Sequence, residues 1–243
     1  MTVSLDLPVP RRALAVAAHP DDAEFGAAAT MAKWAAAGCE LLHVVCTDGS
    51  KGSWDAAEDL TRLVALRRDE QRAASVALGG RGDVEFLGWP DGELENGIVA
   101  RAQLVASIRR FRPDVVLGHD PWKRYRLHPD HRHAGFLTVD AIVAARDPLF
   151  FPDVGPAHHR PSALLLFEAD EPDHVEGADG FTEHKLGALL AHRSQLRSTM
   201  GITDPGAAAQ LKAFRGRIED ELAAAGRLAG VDRGEAFKLV RDL

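Results

Sequence analysis

Short apolar runs alternate with longer helix-type segments through most of this chain, and that alternation narrows the folds open to it. Residues 13–18 read as a buried strand and 24–37 as a helix ended by Gly38. Residues 41–46 are the next strand. Residues 55–78 are helical as far as Gly79-Gly80, 84–87 form a short strand, and 97–111 a helix that stops before Pro113. Residues 114–118 carry the unbroken apolar core Val115-Val116-Leu117, the mark of a strand in a parallel sheet covered on both faces. A helix over 129–145 has proline in its first turn, a strand follows at 163–167, and helices follow at 182–195 and 207–228. Repeated strand–helix units predict an α/β fold: a Rossmann-like, doubly wound, mostly parallel sheet with helices on both faces. The 243 residues are read as one domain, 1–243. Three loops, 48–55, 120–127 and 170–180, are expected to be mobile. The last is acidic and glycine-containing and reads as a lid.

Charge and cysteine content exclude several functions. A formal charge of −7 argues against a domain-wide face for nucleic acid. The local basic cluster Lys123, Arg124, Arg126 and Arg132 reads as a solvated loop. No apolar run approaches the ~20 residues of a membrane span. Residues 1–12 are polar and proline-punctuated, without a signal-peptide core, so the expected location is cytoplasmic. Cys39 and Cys46 flank and end one strand and point to opposite faces, so the expectation is two buried free thiols. They also cannot form a thiolate zinc site.

Where a dinucleotide-binding fold would carry Gly-x-Gly-x-x-Gly after the first strand, this chain has His19-Pro20-Asp21-Asp22, which excludes a nicotinamide enzyme. After the fourth strand comes His128-Pro129-Asp130-His131. The predicted sheet brings both segments to the carboxyl ends of its strands, where ligands bind in such folds. Together they can offer two neutral imidazoles and a carboxylate to one ion, with acids and imidazoles to spare. That is the composition of a catalytic zinc site, which keeps one position open for water. Plainer readings stand beside it. An aspartate before a helix is a good N-cap, and His128 and His131 need not both bind the ion. His133 reads as a packing or solvent residue, as do His119, His158, His159, His174, His184 and His192. His119-Asp120 carries more weight than the rest, because it ends a strand at the same rim.

These two motifs resemble those of the zinc-dependent LmbE-like, or PIG-L, N-deacetylases. Supporting similarity lies in Arg67-Arg68-Asp69-Glu70 with Leu78-Gly79 behind it, in the loop Leu87-Gly88-Trp89-Pro90-Asp91-Gly92, and in His192-Arg193-Ser194-Gln195. The likeness weakens from about Asp204. The resemblance implies one Zn2+ per chain held by His19, Asp22 and His131, with Fe2+ or another divalent ion compatible with the same donors. It implies Asp21 as general base, His128 as the acid beside the developing oxyanion, and Asp130 as the group that orients His128. Arg67, with Arg68 its rival, and Asp91 would face the substrate. The implied reaction is hydrolysis of an acetyl group from an N-acetylated small molecule, an N-acetylglucosamine-type sugar conjugate. The alternatives are a zinc amidase acting on a thiol conjugate or other C–N bond, and a zinc- or sugar-binding protein without turnover. Some members of the family carry glutamate directly after the aspartate pair; here Ala23 stands there and Glu24 follows. The alanine-rich C-terminal helix would pack on its own sheet or, in a homo-oligomer, on another subunit.

Overall fold

Eight strands form one sheet in the computed structural model, which describes residues 3–243. In chain order the elements are β1 (Ser4–Leu5), β2 (Arg12–Ala17), α1 (Asp22–Ala36), β3 (Glu40–Thr47), α2 (Leu60–Ala77), β4 (Val84–Trp89), α3 (Ile98–Phe111) and β5 (Val115–His119). They continue with α4 (Pro129–Arg146), β6 (Ala163–Phe167), β7 (His174–Gly177), α5 (Thr182–Ala191), α6 (Ala208–Arg227) and β8 (Gly234–Arg241). The strand order is β1-β7-β8-β6-β5-β2-β3-β4. Strands β2 to β6 pair in parallel, with Ala13 opposite both Leu41 and Val115. The chain winds outward from β2 to β3 and β4 on one side, then returns to β5 and β6 on the other. The order therefore reverses between β2 and β5, the point where such sheets leave a crevice at their carboxyl ends.

Alternation along β2 divides the core. Leu14, Val16 and Ala18 face one cluster with α3 and α4, while Ala13, Ala15 and Ala17 face another with α1. The second face is lined with alanines from both partners, including Ala27 and Ala28, which lets α1 lie close on the sheet. Cys46 belongs to the first face and Cys39 to the second, both as free thiols. A third cluster joins Leu186 and Leu189 of α5 to Phe214, Ile218 and Leu222 of α6, so α6 packs on its own chain.

The structure corrects four expectations. The 55–78 helix begins at Leu60, because Asp59 takes the N-cap and accepts the Arg62 N–H. The 182–195 helix stops at Ala191 and is followed by a separate 3-10 turn at Arg193–Gln195. The 170–180 segment contains β7, a strand hydrogen-bonded between β1 and β8, which is at odds with a free lid. β8, absent from the alternation, inserts antiparallel between β6 and β7. Its sequence Gly-Glu-Ala-Phe-Lys-Leu-Val-Arg mixes charged with apolar residues, because several of its side chains are only partly buried and its single acid, Glu235, pairs with Lys185. No helix among the described residues is long and apolar enough to cross a membrane.

Candidate metal and active site

The loop after β2 turns sharply into α1. Asp21 takes the N-cap position with φ 101°, a left-handed conformation that costs a non-glycine residue about 1–3 kcal/mol. Its side chain does not cap the helix. Two groups of α2 hold the loop instead. Gln71 Oε1 accepts the Asp21 N–H at 3.0 Å, and Arg67 Nη2 donates to the Pro20 carbonyl at 2.7 Å. Arg67 also donates to the Gly49 carbonyl at 2.8 Å and stands 3.4 Å from Asp21 Oδ2. A Cβ at Gly52 would fall 2.2 Å from Arg67 Nη1, which explains glycine in that loop.

Asp22 is the hub. Its Oδ2 accepts the His19 N–H at 2.7 Å and lies 3.3 Å from His19 Nδ1 and 3.2 Å from His119 Nε2. Its Oδ1 lies 3.2 Å from His131 Nε2. Thus His19 and His131, more than 100 positions apart, share one carboxylate. Side-chain donor atoms of His19, His128 and His131 also fall within 4.8 Å of one another, as do those of Asp22, His119 and His131. Burial alone would raise the Asp22 pKa, but the three imidazoles facing it hold it well below the carboxylate range. Asp21 goes the other way. Burial pushes it up to about 7, and Arg67 only partly offsets this. Two adjacent carboxyls are therefore tuned apart, one kept anionic and one able to exchange a proton near neutrality. At His128 burial and the facing His19 and His131 rings lower the imidazole pKa.

A cavity of about 420 Å³ opens over these groups, within the size range of small-molecule sites. His19, Asp21, Asp22, Arg67, Asp91, His128 and His131 line it, joined by Lys51, Gln195 and Thr199. Two residues depart from their expected places. Arg68 is turned away, its guanidinium 5.3 Å from the Phe86 ring centroid on β4. Adjacent residues on a helix point to different sides, so only one of the two arginines of α2 can face the cavity. Asp130 does not meet His128. It accepts the backbone N–H groups of Gly92 and Leu94 at 2.6 and 3.2 Å and lies 3.1 Å from His19 Nε2. His128 is the N-cap of α4 and Asp130 lies two residues on, a spacing whose side chains do not face each other. Asp91 approaches the same His19 nitrogen at 3.2 Å, while its other oxygen accepts the Lys51 N–H.

Several residues that the sequence did not assign to the site stand in or beside it. His119, flagged only by its place at the end of β5, touches Asp22. Arg126, read as solvated, is buried; it donates to Glu168 at 2.7 Å and stands 3.2 Å from His119 Nδ1. His192 is fully buried against Glu24. Gln71 and Lys51 carried no local signal. His174 is structural, bonded to Ser4 and Glu176, and His133 receives the Asn96 N–H.

Comparison with known proteins places the chain in a family. The family model described as PIG-L, GlcNAc-PI de-N-acetylase, matches residues 14–142, just over half of the chain and both histidine motifs. Diacetylchitobiose deacetylase of Thermococcus kodakarensis is 34% identical over 188 residues, covering 76% of this chain and 70% of that protein. A 1D-myo-inositol 2-acetamido-2-deoxy-alpha-D-glucopyranoside deacetylase of Geodermatophilus obscurus is 36% identical over 172 residues, 60% of this chain and 58% of the relative, so the match spans less than two thirds of that protein. The structure of N,N'-diacetylchitobiose deacetylase from Pyrococcus horikoshii, solved with an inhibitor, superposes with a TM-score of 0.84 at 28% identity, covering 96% of this chain and 84% of that one. The chain belongs to the PIG-L family of de-N-acetylases, hydrolases acting on N-acetyl C–N bonds.

Proposed function

We propose that this protein is a zinc-dependent N-deacetylase that releases acetate from an N-acetylglucosamine-type sugar conjugate. One observation carries the reading. Asp22 gathers His19 and His131, while its neighbour Asp21 lines the same cavity outside that contact set and is held near neutral pKa. The relatives named above act on N-acetylated glucosamine units, which supports a substrate of that class.

The donor set fits a divalent ion. Imidazole and carboxylate groups converge within a few ångströms, and the carboxyls of Asp22, Asp91 and Asp130 stand among them, a concentration of negative charge that a cation would neutralise. His19, Asp22 and His131 would hold the ion. When bound, zinc supplies Lewis acidity, bringing the pKa of water toward ~7 and polarising the acyl oxygen. Asp21 then accepts a proton from the attacking water. His128, exposed at the cavity mouth, offers an N–H to the acyl oxygen as negative charge develops on it, a contribution of about 3–4 kcal/mol per donor. The departing amine takes its proton from Asp21 or His128. Arg67 and Asp91 stand in the wall that a sugar would meet.

The test pairs metal content with turnover. The native chain is expected to bind about one zinc and to release acetate from N,N'-diacetylchitobiose or a glucosaminyl-inositol analogue. His131→Ala is expected to lose the metal. Chelation should abolish turnover and added zinc restore it. A native protein that takes up no divalent ion, or a His131→Ala variant that retains stoichiometric zinc, would refute the assignment.

A further inference from the structure

Behind the cavity wall lies a second layer of buried polar groups that the acid–base chemistry does not use. Gln71 and Glu24 are both wholly buried. The two poles of a single peptide group, Pro20–Asp21, are held from α2: Arg67 donates to its carbonyl and Gln71 accepts its N–H. Arg67 and Gln71 are four residues apart and so lie on one face of the helix. Turning that peptide over would return Asp21 from φ 101° to the ordinary negative region. Gripping both poles prevents it.

An amide side chain has a donor end and an acceptor end, and something must decide which faces Asp21. Gln71 Nε2 donates to Glu24 Oε1 at 2.7 Å. A carboxylate accepts and cannot donate. The NH2 of Gln71 must therefore face Glu24, which leaves its carbonyl for the Asp21 N–H. Glu24 is itself flanked by His43 Nε2 at 3.6 Å and His192 Nε2 at 3.5 Å, from β3 and the end of α5. The geometry points to Glu24 and Gln71 as positioning residues that, with Arg67, lock the Pro20–Asp21 peptide and so hold the Asp21 carboxyl at the cavity wall. This rests on Asp21 being the general base. It also gives Glu24, displaced one position from the glutamate of some relatives, a specific task.

A charge-swapped pair tests the relay. Gln71→Glu keeps an acceptor for Asp21 but sets two carboxyls against each other. Its kcat should fall about ten- to hundred-fold, as small misplacements of a catalytic group do, with KM and bound zinc unchanged. Hydrogen exchange at the Asp21 amide should accelerate in the same variant. Adding Glu24→Gln restores a donor facing an acceptor, and should recover both kcat and slow exchange. Native kcat and native exchange in Gln71→Glu would overturn the proposal. So would a folded double variant no better than the single one, or loss of zinc in Gln71→Glu, which would place its effect on the metal ligands. If the native chain showed no deacetylase activity, the function would fail, but the exchange measurements would still decide whether the clamp exists.

Discussion

Asp21 and Glu235 are both almost completely buried carboxyls, 5% and 4% exposed, yet their surroundings differ in kind. Glu235 reaches from β8 into a break in α1, where Ala27 leaves the helical region at φ −152°. It accepts the N–H groups of Ala29 and Thr30 at 3.1 and 2.8 Å and pairs with Lys185 at 2.7 Å. Lys185 also donates to the Phe25 carbonyl. The N–H of residue 29 and the C=O of residue 25, partners in a straight helix, are thus taken by the two members of one ion pair. Asp21 receives only a long contact from a guanidinium that is already committed to two backbone carbonyls, and it opens on a cavity. A buried carboxyl with a full set of donors repairs architecture. One left short of donors, beside a space that admits water, has a proton to exchange.

The contrast can be broken at each end. Asp21→Asn should show the largest effect, a loss of about 10²–10⁴ in kcat with zinc still bound, because only the proton acceptor is removed; near-native turnover would put Asp21 in the same structural class as Glu235. Glu235→Ala should do the reverse. Thermal or denaturant unfolding should show a loss of about 3–5 kcal/mol, since Lys185 is left buried without its partner, while kcat per folded molecule is retained. A Glu235→Ala protein of native stability would mean that the break in α1 is held by packing alone. The smallest effect belongs to Arg68→Ala, expected to cost no more than about 1 kcal/mol of stability by loss of the Phe86 contact, without change in KM. A raised KM there would return Arg68 to the substrate wall.

Much of the candidate site was legible because the metal and acid–base chemistry proposed for it needs particular side chains, and these stand in two short motifs at strand ends that line one cavity. The strand–helix alternation was legible for a similar reason: Val115-Val116-Leu117 and the small-residue segment of α1 carry their burial in their composition. Where composition and burial part company, legibility ends. β8 mixes Lys, Glu and Arg with apolar residues and reads as no clear strand. β7 contributes buried His174 and Glu176, whose partners Ser4 and Lys33 lie far away in the chain.

The residue types at the cavity, their order along the chain and the crossover that brings residues 19–22 and 128–131 to one rim were determined by the sequence itself, through local periodicity and the short reach of loops at strand ends. Which side chains meet was decided only by the tertiary structure. Helix phase turned Arg67 inward and Arg68 onto Phe86. The start of α4 sent Asp130 to Gly92, Leu94 and His19, away from His128. Arg67 and Gln71 of α2 met the two poles of the Pro20–Asp21 peptide, with Glu24 of α1 behind Gln71 and His192 behind Glu24. Such contacts depend on rotations of whole elements about their axes and on pairings across dozens to hundreds of residues, and neither is encoded in the spacing of any one motif.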